Sequence, residues 1–177
     1  SSNSKSVEHI IPESFGSKTK ILPKGIVCDT CNNYFSIKIE NPLLSDISFR
    51  NLRAYYQIPT KKGKIPSLLG YIDHNKDEVE LKIDNNKPLI INLRSGKKIN
   101  YANCSFDLTF QPPMKLMAKL MAKMALESLA YRQINNSTNE DFIALDEHFD
   151  SLREFVRYGN KIKEWPIFFR KIHHPNI

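Results

Sequence analysis

Two short stretches near the start of the sequence hold the residues best suited to chemistry. Glu8 and His9 stand side by side ahead of Ile10-Ile11-Pro12, and Cys28-Asp29-Thr30-Cys31 is followed at once by Asn32 and Asn33. Histidine titrates close to neutrality, so an imidazole can accept a proton at working pH without extreme tuning. Glutamate and asparagine offer oxygen donors of the kind a hard cation such as Mg²⁺ prefers. Two cysteines at CxxC spacing suit one metal ion better than a bridge, and three cysteines in all make a poor disulfide framework. Taken singly, each feature has a plainer reading: His9 as an ordinary strand histidine, the CxxC as a structural zinc knuckle or as two reduced thiols at a helix start. Cys104, alone between Asn103 and Ser105 in a predicted strand, reads as a small packing residue.

Together, the run Val7-Glu8-His9-Ile10-Ile11-Pro12-Glu13-Ser14-Phe15-Gly16 and the run Ile26-Val27-Cys28-Asp29-Thr30-Cys31-Asn32-Asn33 resemble the HNH (ββα-metal) endonuclease family, in its CxxC zinc-knuckle form. The resemblance implies a metal-dependent hydrolase of phosphodiester bonds, acting on DNA first, with RNA left open. It implies His9 as general base, and Glu8 and Asn32 as ligands of a catalytic Mg²⁺ or Mn²⁺ that keeps several waters. Ser36 stands where the family's final histidine would fall, and Asn33 lies beside the expected ligand, so both are secondary candidates. The family's middle asparagine has no counterpart in residues 21–27, and a backbone carbonyl is expected to orient His9 in its place. Cys28 and Cys31 would be half of a structural Zn²⁺ site whose upstream CxxC is missing. Ser1-Ser2-Asn3-Ser4 reads like the middle of a loop, so a preceding segment carrying that second pair is expected. The alternative from a different class is a treble-clef-like zinc module that binds nucleic acid or a protein partner without cutting it.

These residues need a scaffold that brings strand and helix together. Residues 5–40 read as strand, loop, strand and helix, the helix opening near Cys31 and stopping before Asn41-Pro42, because proline disfavours helical geometry in the residue before it. Neighbours on a strand face opposite ways, so Glu8 and His9 can serve one site only if the chain bends or bulges before Ile11-Pro12. Residues 45–56 fit a short helix. Val79, Leu81 and Ile83 alternate with Glu80, Lys82 and Asp84 inside a stretch, Leu68 to Phe110, that predicts a small antiparallel sheet with turns at 73–76, 84–87 and 95–96. Pro112-Pro113 introduces a helix from Met114 to about Gln133, with Leu116, Met117, Leu120, Met121, Met124 and Leu129 as its core stripe. A last helix, 146–158, ends at Gly159.

The fold class expected is therefore α+β: an N-terminal ββα-metal module, 1–44, followed by an accessory body, 45–177, of sheet and packed helices that acts as scaffold or regulator. The formal net charge of +7 favours a polyanionic partner. Lys18, Lys20, Lys24 and Lys38 are the expected phosphate contacts, with Arg50 and Arg53 extending that surface. Nothing here reads bases, so cleavage preference should be broad. A regulatory domain or subunit that holds activity off until a signal arrives is a further partner compatible with the second unit. No apolar run is long enough for a bilayer and no signal-peptide core opens the chain, which leads to the expectation of a soluble, cytoplasmic protein.

Overall fold

The computed structural model describes residues 4–60, 62–72, 77–84, 87–93, 106–136 and 143–159. Cys104 and the turns expected at 73–76 and 95–96 lie outside them, as do residues 85 and 86 of the third turn. The elements fall in the order β1 (Glu8–His9), β2 (Ile21–Leu22), α1 (Asp29–Phe35), α2 (Asn41–Ser45), α3 (Ile47–Tyr55), β3 (Leu68–Ile72), β4 (Asp77–Asp84), β5 (Lys87–Leu93), β6 (Phe106–Leu108), α4 (Met114–Asn136) and α5 (Asp150–Arg157). The class is α+β, as expected.

Strands β1 and β2 pair antiparallel, Glu8 opposite Leu22 and His9 opposite Ile21. Between them Glu13–Phe15 form a 3-10 turn that ends on Gly16 at φ +89°, a left-handed position that glycine adopts without strain. The helix after the cysteines does not stop before Asn41-Pro42. It widens into a π turn over Ser36–Glu40 and continues as α2 with Pro42 in its first turn. The reason lies in proline itself: it lacks the N–H that would bond to residue 38 and its ring would crowd that carbonyl. The wider turn, in which the Asn41 N–H reaches the Ser36 carbonyl, lets the helical path go on.

The four-stranded sheet has the order β5-β4-β3-β6, all antiparallel. Val79 and Leu81 turn inward with Leu68, Ile72 and Ala54 of α3, which realises the alternation seen in the sequence. Asn51, fully buried on α3, splices that helix to the sheet. Its amide donates to the carbonyls of Leu69 (2.7 Å) and Thr109 (3.1 Å), and its Oδ1 accepts from the Leu69 N–H (2.7 Å).

The stripe expected to carry α4 into the core does so except at Met121: Leu120 is buried, and Leu116, Met117, Met124 and Leu129 pack against the hydrophobic clusters. Met121 is 48% exposed, while Ala118, Leu120, Ala122, Ala130 and the charged Lys123 and Glu127 are buried. Small alanines let α4 approach Ile39 and Leu43 on one side and Phe155 and Val156 of α5 on the other. Farther along α4, Ala130 meets Ile10 and Leu22 of the β1–β2 hairpin. Two of the hydrophobic clusters therefore join residues on both sides of position 44. Helix α5 ends on Gly159 at φ +65°.

Candidate active site

Two clasps set the path of the chain into β1. Asp29, in the first turn of α1, accepts from the backbone N–H groups of Lys5 (3.1 Å) and Ser6 (3.0 Å) and from the hydroxyls of Ser4 and Ser6. The Ser6 hydroxyl and these other donors hold its carboxyl well below the usual carboxylate range. One turn on, the Asn32 Nδ2 donates to Ser6 Oγ (3.1 Å) and to the Val7 carbonyl (3.1 Å). That use of the nitrogen leaves Asn32 Oδ1 as the atom available to a cation.

The sequence-predicted trio converges. Glu8, His9 and Asn32 line one cavity of about 220 Å³, together with Ser36, Glu13, Ser14, Glu40 and Asn41. Ser36, a secondary candidate, lines it as well. Asn33 does not line this cavity; it lies with Lys5, Asp29, Asn32 and Ser36 along a neighbouring cleft of about 550 Å³. Lys18, Lys20, Lys24 and Lys38 are exposed, and none lines either space. Arg50 and Arg53 do not extend a phosphate-binding surface. Arg50 donates to Ser67 and Glu80, and Arg53 is buried and donates to the Pro59 carbonyl (3.0 Å). Both guanidiniums are consumed in joining α3 to the adjoining loop and sheet.

Glu8 is the most constrained member. Its Oε1 accepts from Lys123 Nζ at 2.5 Å, while Oε2 is buried with no hydrogen-bond partner. Burial pushes its carboxyl above the ordinary range, with Lys123 opposing and Glu40 adding to the shift. His9 Nδ1 is likewise buried without a partner. The backbone carbonyl expected to orient the ring is thus not supplied by the described residues. The strand is only two residues long and its second carbonyl accepts from Lys123 Nζ (3.3 Å).

Sequence reasoning missed the charges behind Glu8. Lys123 also contacts Glu127 Oε2 (2.9 Å) and Glu40 Oε1 (3.4 Å). Burial alone would lower the Lys123 ammonium, but Glu127 and Glu8 outweigh it and hold its pKa above the ordinary lysine value. Burial pushes the Glu127 carboxyl up to about 8. A signal for Glu40 did exist: Asn32, Ser36 and Glu40 recur every four residues, the spacing of one helix face. Lys123 and Glu127 share that spacing on α4.

Cys28 caps α1, its sulfur accepting from the Cys31 N–H (3.3 Å), and this bond draws its thiol pKa down. Burial pushes the Cys31 thiol up. Both are free thiols on the wall of a separate, mostly apolar cavity of about 440 Å³. Among the described residues, no three His, Cys, Asp or Glu side chains gather as a metal cage. An oxygen-donor pair of one carboxylate and one amide suits a cation that keeps most of its waters. Glu8, whose Oε2 is buried and unpartnered, lines the same cavity as Asn32 and fits such an ion.

The model of the HNH endonuclease family matches residues 1–48, so the likeness carried by the Glu-His and CxxC-Asn motifs is a family match over this N-terminal segment. No curated protein and no solved structure matches the chain. No helix among the described residues is long and apolar enough to cross a membrane.

Proposed function

We propose that the chain is a metal-dependent endonuclease, with residues 1–44 as the nuclease module and 45–177 as the accessory body. The observation that carries the reading is that Glu8, His9 and Asn32, drawn from strand and helix, line one cavity. The family match over the same residues supports it. Glu8 Oε2 and Asn32 Oδ1 are the atoms that would hold Mg²⁺ or Mn²⁺. When bound, the ion would neutralise charge building on the phosphate and on the departing oxygen. His9 would take the proton of the attacking water in the cavity that Glu8 also lines. Asn32 has a second task, because its amide nitrogen ties Val7 to α1 and so fixes the distance between the two halves of the site. Lys5, on the adjoining cleft, is placed to meet a phosphate; Lys18, Lys20, Lys24 and Lys38 would add weaker, exposed contacts. DNA is the first substrate to try. Cys28 and Cys31 supply half of a tetrahedral Zn²⁺ set, so the other ligands would come from elsewhere.

The test is plasmid nicking with Mg²⁺ or Mn²⁺, comparing the wild type with His9→Ala. Loss of at least about 100-fold in rate is expected for removal of a general base. Nicking unchanged in His9→Ala would end the assignment. A second reading, a zinc module that binds without cutting, is favoured by the pairing of Glu8 with Lys123, which takes half of the carboxylate. Absence of nicking in every metal, with DNA binding retained, would support it.

A further inference from the structure

We infer that Lys123, on the central helix of the accessory body, is a positioning residue for the Glu8 carboxylate: by holding Oε1 it presents Oε2 to the cavity. The inference rests on the reading of Glu8 as a metal ligand.

The lysine side chain is 0% exposed and reaches across the fold to a residue 115 positions away in sequence. It touches β1 twice, at Glu8 Oε1 (2.5 Å) and at the His9 carbonyl (3.3 Å), so one ammonium fixes both the carboxylate and the peptide that carries the imidazole. Behind it, Glu127 lies one turn farther along α4 at 2.9 Å and Glu40 approaches from the π turn at 3.4 Å, so the ammonium is itself anchored. The division of labour on Glu8 is clear from its two oxygens. One is ion-paired, and the other is buried, unpaired and part of a residue lining the cavity. A buried lysine is a poor source of stability, because desolvation offsets most of its attraction for carboxylates, and an aliphatic side chain would fill the same space. A role in aiming Glu8 accounts for the ammonium where packing does not.

The experiment is a Mn²⁺ titration of the full chain, followed by electron paramagnetic resonance of the free ion, for wild type, Lys123→Met and Glu8→Gln, each checked for folding by circular dichroism. Lys123→Met is expected to weaken Mn²⁺ binding by about 10-fold or more, the range typical of lost support behind a metal ligand. The metal concentration for half-maximal nicking should rise in parallel. Unchanged or tighter binding in Lys123→Met, with Glu8→Gln weakened, would overturn the role of Lys123 and leave the ligand assignment standing. Unchanged binding in Glu8→Gln would instead overturn the ligand itself. Should Lys123→Met fail to fold, Glu127→Ala, which removes the 2.9 Å contact whatever the protonation state of the carboxyl and spares the Glu8 pair, should weaken binding about 3-fold, a smaller effect of the same kind. No change there would count against the inference.

Discussion

Lys123 Nζ stands 2.5 Å from Glu8 Oε1, joining α4 to the carboxylate beside the candidate base. Around that pair three carboxylates share one ammonium, so the cluster carries more negative charge than it can neutralise. Part of the excess is relieved by a proton.

That proton gives a pH dependence. Burial, with Glu8 and Glu40 adding and Lys123 opposing, raises the Glu127 carboxyl from its ordinary 4.5 to about 8, so the folded chain binds this proton more tightly than the unfolded one. The stabilisation is fully present below about pH 4.5 and is lost as pH rises through about 8. Thermal unfolding followed by circular dichroism should therefore show a melting temperature that falls across this window. Glu127→Gln should reduce the fall, leaving the part that the raised Glu8 carboxyl contributes with the same sign. The depressed carboxyls of Asp29 and Asp146 act below their ordinary 3.8 and do not enter the window. A wild type and Glu127→Gln with parallel pH profiles would show that Glu127 is ionised throughout.

Asn51 meets three backbone groups of β3 and of the segment after β6 from a fully buried position. Asn51→Ala leaves the Leu69 N–H and two carbonyls without these partners and opens a void, so a loss of roughly 3 kcal/mol is expected in urea denaturation. A loss within about 0.5 kcal/mol, the range of ordinary surface changes, would mean that water or rearrangement replaces the amide.

Gly70 tells how closely β6 lies on β3. A Cβ at this position would sit 2.5 Å from the Asp107 carbonyl oxygen and 2.7 Å from a Leu108 methyl. Backbone cannot yield as a flexible side chain can, so Gly70→Ala should destabilise by about 1–3 kcal/mol. Amide exchange should speed up at residues 106–108 before it does in β4.

The clasp formed by Asp29 has a local signature. Asp29→Ala removes acceptors for two backbone N–H groups and two hydroxyls of residues 4–6, without touching the cavity that holds Glu8 and His9. Hydrogen exchange at Lys5 and Ser6 should accelerate by at least about 10-fold, the factor for one lost hydrogen bond of ~1.4 kcal/mol. Protection unchanged at both amides would mean that the segment is held by other contacts.

Much of this architecture was legible because it rests on local rules. Alternation of Val79 and Leu81 with charged neighbours marks a strand with one buried face, and Gly159 marks a helix end. The motif around Glu8-His9 and Cys28-Asp29-Thr30-Cys31-Asn32 pointed to residues that do line one cavity, apart from the cysteines. What could not be read depends on long-range packing. A rule of thumb about proline ended the first helix early, since sequence does not announce a π turn. Periodicity found the core stripe of α4 apart from Met121, but not that a close approach over the alanines widens the buried face and encloses Lys123 and Glu127 with their charges. Arg50 and Arg53 looked like phosphate contacts until their partners across the fold were seen.

The most direct test of the account is the position of a bound metal ion. Crystals grown with Mn²⁺ and measured near the manganese absorption edge should give one anomalous peak within coordination distance of Glu8 Oε2 and Asn32 Oδ1, about 2.1–2.3 Å from each, with water filling the remaining positions. A peak elsewhere in the fold, with the Glu8 carboxylate still shared between Lys123 and an empty cavity, would contradict it.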